Sequence, residues 1–263
     1  MFLSFKDGKI HYTDSGQGNV IVLLHGYLES ASIWKDFAEK LSSEFRVISI
    51  DLPGHGQSGV CSEIHTMEFM ASAIKELLDN AGISKIFLIG HSMGGYVTLA
   101  FLELFPEYLS GYCLFHSHPL ADSPETVEKR INDISVVLAG KKDLLIYDSI
   151  RRMYADSNLE KLDSAIQLSN RIASTIPANG ITAVLSGMMA RPSRTAIVEE
   201  GRVSFLWILG ALDNYINCEI IQQKVKLPVN SEVVILNNSG HMGFIEEEEF
   251  SVKVVEDFVK GIN

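Results

Sequence analysis

Over residues 1–115, short apolar runs alternate with stretches in which apolar positions recur every three or four residues. The runs Phe2–Phe5, Ile10–Thr13, Val20–Leu24, Val47–Ile50, Ile86–Ile89 and Tyr112–Phe115 predict strands, and the periodic stretches at 31–41, 66–80 and 93–105 predict helices. Asp-Gly within Lys6-Asp7-Gly8-Lys9 suits a tight turn that would join the first two strands in a hairpin. The later runs are nearly continuous in Val, Ile, Leu and Phe, as strands covered on both faces must be. Such alternation predicts an α/β fold, a doubly wound and mostly parallel sheet.

The strand signal disappears from Pro119 to about Glu200, where helices are expected near 124–142, 145–155, 159–176 and 179–190. Within this stretch, Ser135–Asp143 imitates a strand followed by an acidic loop. Its apolar positions keep helical spacing behind a capped start at Ser123-Pro124-Glu125, so helix is the better reading. Alternation then resumes with strands Val203–Leu209 and Val233–Leu236, a helix near 215–225 and a last helix over 247–261. The expected division is a core of residues 1–118 and 201–263 carrying an all-helical cap, 119–200, inserted after the sixth strand. A cap so placed lies over the C-terminal edge of the sheet, where ligands of such folds bind.

Hydrophobic residues make up 46% and charged residues 21% of the 263, the profile of an ordinary globular chain with a sizeable core. The formal net charge of -11 argues against nucleic-acid or anionic-membrane partners, which need basic surface, and mildly against a strongly anionic substrate. The three cysteines, Cys61, Cys113 and Cys218, are scattered without metal-ligand or disulfide spacing. The N-terminus turns polar too early for a signal peptide, and no run of about 18 apolar residues marks a membrane span. A reducing, cytoplasmic setting is the default expectation.

The chemistry concentrates at strand ends. Ile86–Ile89 runs into Gly90-His91-Ser92-Met93-Gly94-Gly95 and straight on into a helical pattern. A strand turning sharply into a helix lifts its serine above the sheet, at a helix N-terminus that favours developing negative charge. Serine needs a base, and the base needs an orienting carboxylate. His241 follows Val233–Leu236, and Asp213 follows Phe205–Leu209, so both would reach the edge that carries Ser92. Asp143 and Asp122 compete with Asp213 for the role of acid. Val20–Leu24 runs into His25-Gly26-Tyr27, where the N–H of Tyr27 can join that of Met93 in holding an oxyanion.

Other polar residues have blander uses. His25, His55 and His91 sit beside motif glycines, where a ring more often ties down a loop, and Asp51 and Ser58 can brace the turn between them. His116 and His118 suit pocket lining and plain structure equally. In the cap, Leu185, Met188 and Met189, with Met153 and Tyr154, recur at core-like spacing, although some must face a pocket beneath. The cap arginines Arg151, Arg152, Arg191 and Arg194 are expected to be solvated or paired. Glu246–Glu249 suits the start of the last helix.

The five motifs His25-Gly26-Tyr27, Asp51-Leu52-Pro53-Gly54-His55-Gly56-Gln57-Ser58, Gly90-His91-Ser92-Met93-Gly94-Gly95, Gly210-Ala211-Leu212-Asp213 and Ser239-Gly240-His241 occur in an order that resembles the α/β-hydrolase fold superfamily, in its branch of capped carboxylesterases. The resemblance implies Ser92 as nucleophile, Asp213 as acid, His241 as base, Tyr27 and Met93 as oxyanion donors, and no metal or cofactor. His118, Leu185, Met188 and Met189 are the candidate pocket residues. The expected reaction is hydrolysis of a small-molecule ester with a small to medium apolar acyl group. Carbon–carbon bond hydrolysis by the same triad, or a receptor that keeps it, stands as the alternative. Haloalkane dehalogenases and epoxide hydrolases place aspartate where this chain has Ser92.

Overall fold

The computed structural model describes residues 1–262, built around one eight-stranded sheet. Its strands are β1 (Phe2–Phe5), β2 (Gly8–Ser15), β3 (Val20–Leu24), β4 (Arg46–Ile50), β5 (Ile86–His91), β6 (Leu109–Phe115), β7 (Ser204–Gly210) and β8 (Ser231–Leu236), in the spatial order β1-β2-β4-β3-β5-β6-β7-β8. β1 and β2 form the expected hairpin, with Phe5 opposite Gly8 across Lys6-Asp7. β2 is antiparallel to β4, and every pairing from β4 to β8 is parallel. The central strands β3 and β5 are almost wholly buried, which is why their sequences are continuous in apolar residues rather than alternating.

The chain leaves β3 for β4 on one side and returns to β5 on the other. The loops after β3 and β5 therefore diverge and open a crevice at their carboxyl ends. Between β3 and β6 the α-helices are α1 (Lys35–Leu41), entered through a 3₁₀ turn over Ala31–Trp34, α2 (Met67–Asn80) and α3 (Met93–Leu104). α2 packs on α3.

Between β6 and β7 the chain is entirely helical: α4 (Pro124–Leu138), α5 (Lys142–Met153), α6 (Asp163–Thr175), α7 (Ala178–Ala190) and the short α8 (Thr195–Glu199). Ser123 caps α4 through its side chain, accepting from Thr126 N–H. The helix expected to run to residue 142 stops earlier, because Gly140 takes a left-handed conformation (φ 75°). Gly140 N–H returns to Val137 and Lys141 N–H to Val136, a paired closure that ends α4 and sets α5 off in a new direction. α4 packs on α7 and α5 on α6, making a cap. At Gly180 this cap approaches the loop after β4 so closely that a Cβ would strike the Gly54 carbonyl.

Past β7 come the short α9 (Cys218–Gln222) and, after β8, α10 (Gly243–Glu246) and α11 (Glu248–Gly261), which packs on α1. Phe244 of α10 lies against Trp34, with ring centroids 4.1 Å apart, and also meets Phe37, Phe115 and His91. Aromatic pairs of this kind contribute ~0.5–1.5 kcal/mol each beyond their buried area. They clamp the segment that follows His241 to the floor of the crevice. No single helix among the described residues is long and apolar enough to cross a membrane.

Candidate active site

Ser92 stands between β5 and α3 with φ 49° and ψ −113°, a conformation that costs a non-glycine residue about 1–3 kcal/mol. The surroundings over-determine it. Ser92 N–H donates to the Phe115 carbonyl at 2.9 Å, and the Ser92 carbonyl accepts from Ser117 Oγ at 2.7 Å. The flanking glycines are required by space. A Cβ on Gly90 would fall on the Gly94 carbonyl, and one on Gly94 would lie 2.5 Å from the Leu24 carbonyl oxygen. Among the described residues, no protein acceptor takes the N–H of Met93 or of Tyr27.

His241 follows β8 and is held by its backbone from both sides. Its N–H donates to Met153 of the cap at 2.6 Å, and its carbonyl accepts from His91 Nε2 at 2.8 Å. Its ring donates from Nδ1 to Asp213 Oδ2 at 2.7 Å, which leaves Nε2 as the free, basic nitrogen. Burial disfavours the charged ring, but the charge and hydrogen bond of Asp213, with Glu29 and Glu246 behind, outweigh it and raise the His241 pKa above the ordinary 6.5.

Asp213 lies just past β7. Its Oδ1 accepts from the N–H groups of Tyr215 (2.7 Å) and Ile216 (3.0 Å), which fixes the carboxylate plane. Burial opposes its ionisation, yet His241 and His116 hold the carboxyl well below the usual range. His116, fully buried, accepts at Nε2 from Gly243 N–H (3.0 Å), so the proton of the neutral ring sits on Nδ1. That nitrogen is 3.4 Å from Asp213 Oδ2 but not aligned as a hydrogen bond. Burial lowers the His116 pKa to about 4, so the ring is neutral beside the carboxylate. The donor atoms of His116, Asp213 and His241 lie within 4.8 Å of one another, a spacing a metal ion can bridge, but each is already committed to a neighbour in this set or to Gly243.

The other candidate acids are elsewhere. Asp122 is buried between Arg130 and Arg191, and Asp143 is exposed in the first turn of α5, whereas the His241 ring bonds to Asp213. Ser92 and His241 both line a cavity of about 430 Å³ between the sheet edge and the cap. His118 and Met188 line it as well. Leu185 is fully buried inside the cap and Met189 is half-buried, and neither reaches the cavity. α7 is apolar around most of its circumference, so period alone did not tell its pocket face from its packing face. Burial lowers the His118 pKa to about 3; the neutral ring accepts at Nδ1 from Leu120 N–H and sits 3.4 Å from the Tyr96 hydroxyl at Nε2.

Three supporting residues had no readable signal. Glu29 is buried, accepts from Gly26 N–H at 2.6 Å and lies 3.0 Å from His91 Nδ1. Arg130 of α4 lines the cavity. Glu246, expected only to suit a helix start, instead receives Gly240 and Met242 N–H on one oxygen and Ala155 N–H and the Asn158 amide on the other. It ties the His241 loop to the cap. The loop-bracing roles read for other polar residues have their bonds here: Leu52 N–H donates to His25, and Asp51 receives Ala31 and Gln57 N–H.

A strained serine at a helix start, a histidine with one free nitrogen and a buried carboxylate behind it can together activate a hydroxyl against an electrophilic carbonyl. Residues 19–248 match the alpha/beta hydrolase fold family, and the chain belongs to it. An esterase from Thermogutta terrifontis, solved with malate bound, superimposes with TM-score 0.91 at 28% identity, covering 97% of this chain and 94% of that one. An enol-lactonase from Burkholderia xenovorans shares the fold with TM-score 0.89 at 20% identity, over 99% of this chain and all (100%) of the other. In sequence, a 2-hydroxy-6-oxononadienedioate/2-hydroxy-6-oxononatrienedioate hydrolase of Pseudomonas putida is 27% identical over 98% of this chain and 95% of its own length. The protein is accordingly a hydrolase of this family.

Proposed function

We propose that the protein is a serine hydrolase that cleaves carboxylic esters through an acyl-enzyme. The observation that carries this reading is the 2.7 Å bond from His241 Nδ1 to the buried Asp213, which leaves Nε2 unprotonated at the cavity that Ser92 lines. His241 takes the Ser92 proton as Oγ bonds to the ester carbonyl carbon. The N–H groups of Tyr27 and Met93 receive the oxyanion, and such donors are worth ~3–4 kcal/mol each in other hydrolases. His241 then protonates the departing alkoxide, and a water activated by the same ring releases the acid.

The cap supplies the roof of the site and Met153, Met188, Ile216, Ile220 and Ile221 an apolar side, which suits a small to medium acyl chain. Near-full-length likeness to the Thermogutta esterase supports ester cleavage, and likeness to the Pseudomonas hydrolase supports a second reading, carbon–carbon bond hydrolysis by the same triad. A p-nitrophenyl ester series from acetate to dodecanoate, run with wild type and Ser92→Ala, tests the choice. Turnover that vanishes in Ser92→Ala is the expected result. Folded wild type without turnover on any chain length removes the esterase reading and leaves the carbon–carbon one.

A further inference from the structure

We propose that the substrate of this site carries a carboxylate at the end remote from the reacting bond, received by Arg130 and the Tyr27 hydroxyl; the proposal rests on the ester reading above. Its root is a charge imbalance in the cap wall. Asp122 bonds to Arg130 Nε at 2.7 Å and to Arg191 Nη1 at 2.7 Å, so one carboxylate serves two guanidinium groups. All three side chains are withdrawn from solvent, with exposures of 3% for Asp122, 15% for Arg130 and 2% for Arg191. A positive charge is left over where charge is costly to leave unmatched.

Arg191 cannot be the group that meets a ligand. Its Nη1 and Nη2 donate to the carbonyls of Met188 and Leu120, it lies 3.7 Å over the Tyr96 ring, and although its buried Nε has no partner the side chain does not line the cavity. Arg130 does line the cavity. Its Nε and Nη2 are used by Asp122, while Nη1 has no protein acceptor among the described residues. The Tyr27 hydroxyl is buried without a partner, on a side chain that lines the same cavity and feels the charges of Arg130 and Asp133. An orphaned hydroxyl and an unused guanidinium nitrogen on the wall of one cavity can offer one O–H and one N–H to the two oxygens of a carboxylate.

The rest of the wall adds to the cationic excess. Lys129 is matched by Asp133 at 2.7 Å, but Arg152 and Lys224 line the cavity with no carboxylate partner among the described residues. Arg152 instead stacks on Tyr215, whose ring is 5.1 Å from that of His241. Inside a chain of net charge -11, the cavity is therefore locally positive. The overall charge, which counts mildly against an anionic substrate, does not describe the pocket. With the apolar side formed by Met153, Ile216 and Ile221, the lining fits an ester whose apolar chain ends in a carboxylate.

The test compares kcat/KM for mono-p-nitrophenyl succinate, glutarate and adipate with the length-matched butyrate, valerate and hexanoate. Wild type should favour the charged ester at one or more lengths by tenfold or more. Arg130→Gln, which leaves Asp122 matched one to one by Arg191, should lower that ratio at least tenfold. Tyr27→Phe, which keeps the backbone N–H, should lower it severalfold. A ratio at or below one at every length in wild type overturns the proposal, as does a ratio unchanged in both variants. If neither ester series turns over, the ester reading fails separately. Calorimetric titration of Ser92→Ala with glutarate against glutaramide then decides, with selective binding of glutarate expected and equal or absent binding overturning the proposal.

Discussion

His91 donates from Nε2 to the carbonyl oxygen of His241 at 2.8 Å, and through Nδ1, 3.0 Å from Glu29, joins that carbonyl to the loop after β3. Glu29 in turn holds Gly26 N–H at 2.6 Å. One buried chain thus connects the Gly26 loop, the residue before Ser92 and the backbone of His241. Burial opposes ionisation of Glu29, but His91 and the Gly26 N–H keep its carboxyl below the usual range.

Removing one member of such a buried pair leaves the other uncompensated and typically costs ~3–5 kcal/mol. Glu29→Ala should therefore lower unfolding stability by about that much in urea melts. It should also depress kcat more than KM raises, since both the Gly26 loop and His241 lose their shared anchor. A variant of wild-type stability and kcat would show that the chain of bonds positions nothing.

The pH dependence follows from His241. In the proposed mechanism only the neutral ring can accept the Ser92 proton, and its pKa is raised above 6.5 by Asp213 despite burial. The kcat/KM for a neutral ester should thus rise with pH through a single ionisation centred above 6.5, and fall away on the acid side. Asp213→Asn removes the carboxylate and should move that limb down while lowering kcat by up to ~10⁴-fold, as loss of the orienting acid does in other triads. Asp143→Asn should leave both unchanged. An Asp143 effect without an Asp213 effect would identify a different acid.

Glu246 gathers four donors from the His241 loop and the cap onto two oxygens. Hydrogen bonds to a charged group contribute ~1.5–3 kcal/mol, but this carboxylate lies at a partly exposed junction, so Glu246→Ala should cost ~1–3 kcal/mol rather than their sum. Hydrogen exchange should quicken at Gly240, Met242 and Ala155 together, because one acceptor serves all three. Exchange confined to one of them would mean that the loop and the cap are held independently.

What the sequence disclosed and what it hid divide along chain distance. The elbow around Ser92, the His25-Gly26-Tyr27 loop and the strand–loop positions of Asp213 and His241 are local patterns, each written within a few adjacent residues. The strands and long helices were legible for the same reason, and the stop at Gly140 was missed although glycine followed by lysine at a helix end is a local sign. Glu29, Arg130 and Glu246 get their meaning from partners 62 (His91), 61 (Arg191, through Asp122) and 91 (Ala155) residues away, and no local spacing encodes such pairings. Asp122 looked like a competing acid because a carboxylate after β6 is the right chemistry in the right layer. Only the position of the two arginines shows that it is already engaged.

The strain at Ser92 gives the last prediction. The residue holds φ 49° and ψ −113°, a conformation glycine adopts freely and a Cβ-bearing residue does not. Ser92→Ala and Ser92→Gly should both be inactive toward esters, since neither carries a hydroxyl. They should differ in stability: the glycine variant relieves the clash that alanine retains, a gain of about 1–3 kcal/mol, offset by about 0.5–1 kcal/mol of extra chain entropy lost on folding. Ser92→Gly should therefore melt above Ser92→Ala, and on the larger figures above wild type. If instead the glycine variant is the less stable of the two, the elbow bears no strain, and the conformation of Ser92 is one its surroundings hold without cost.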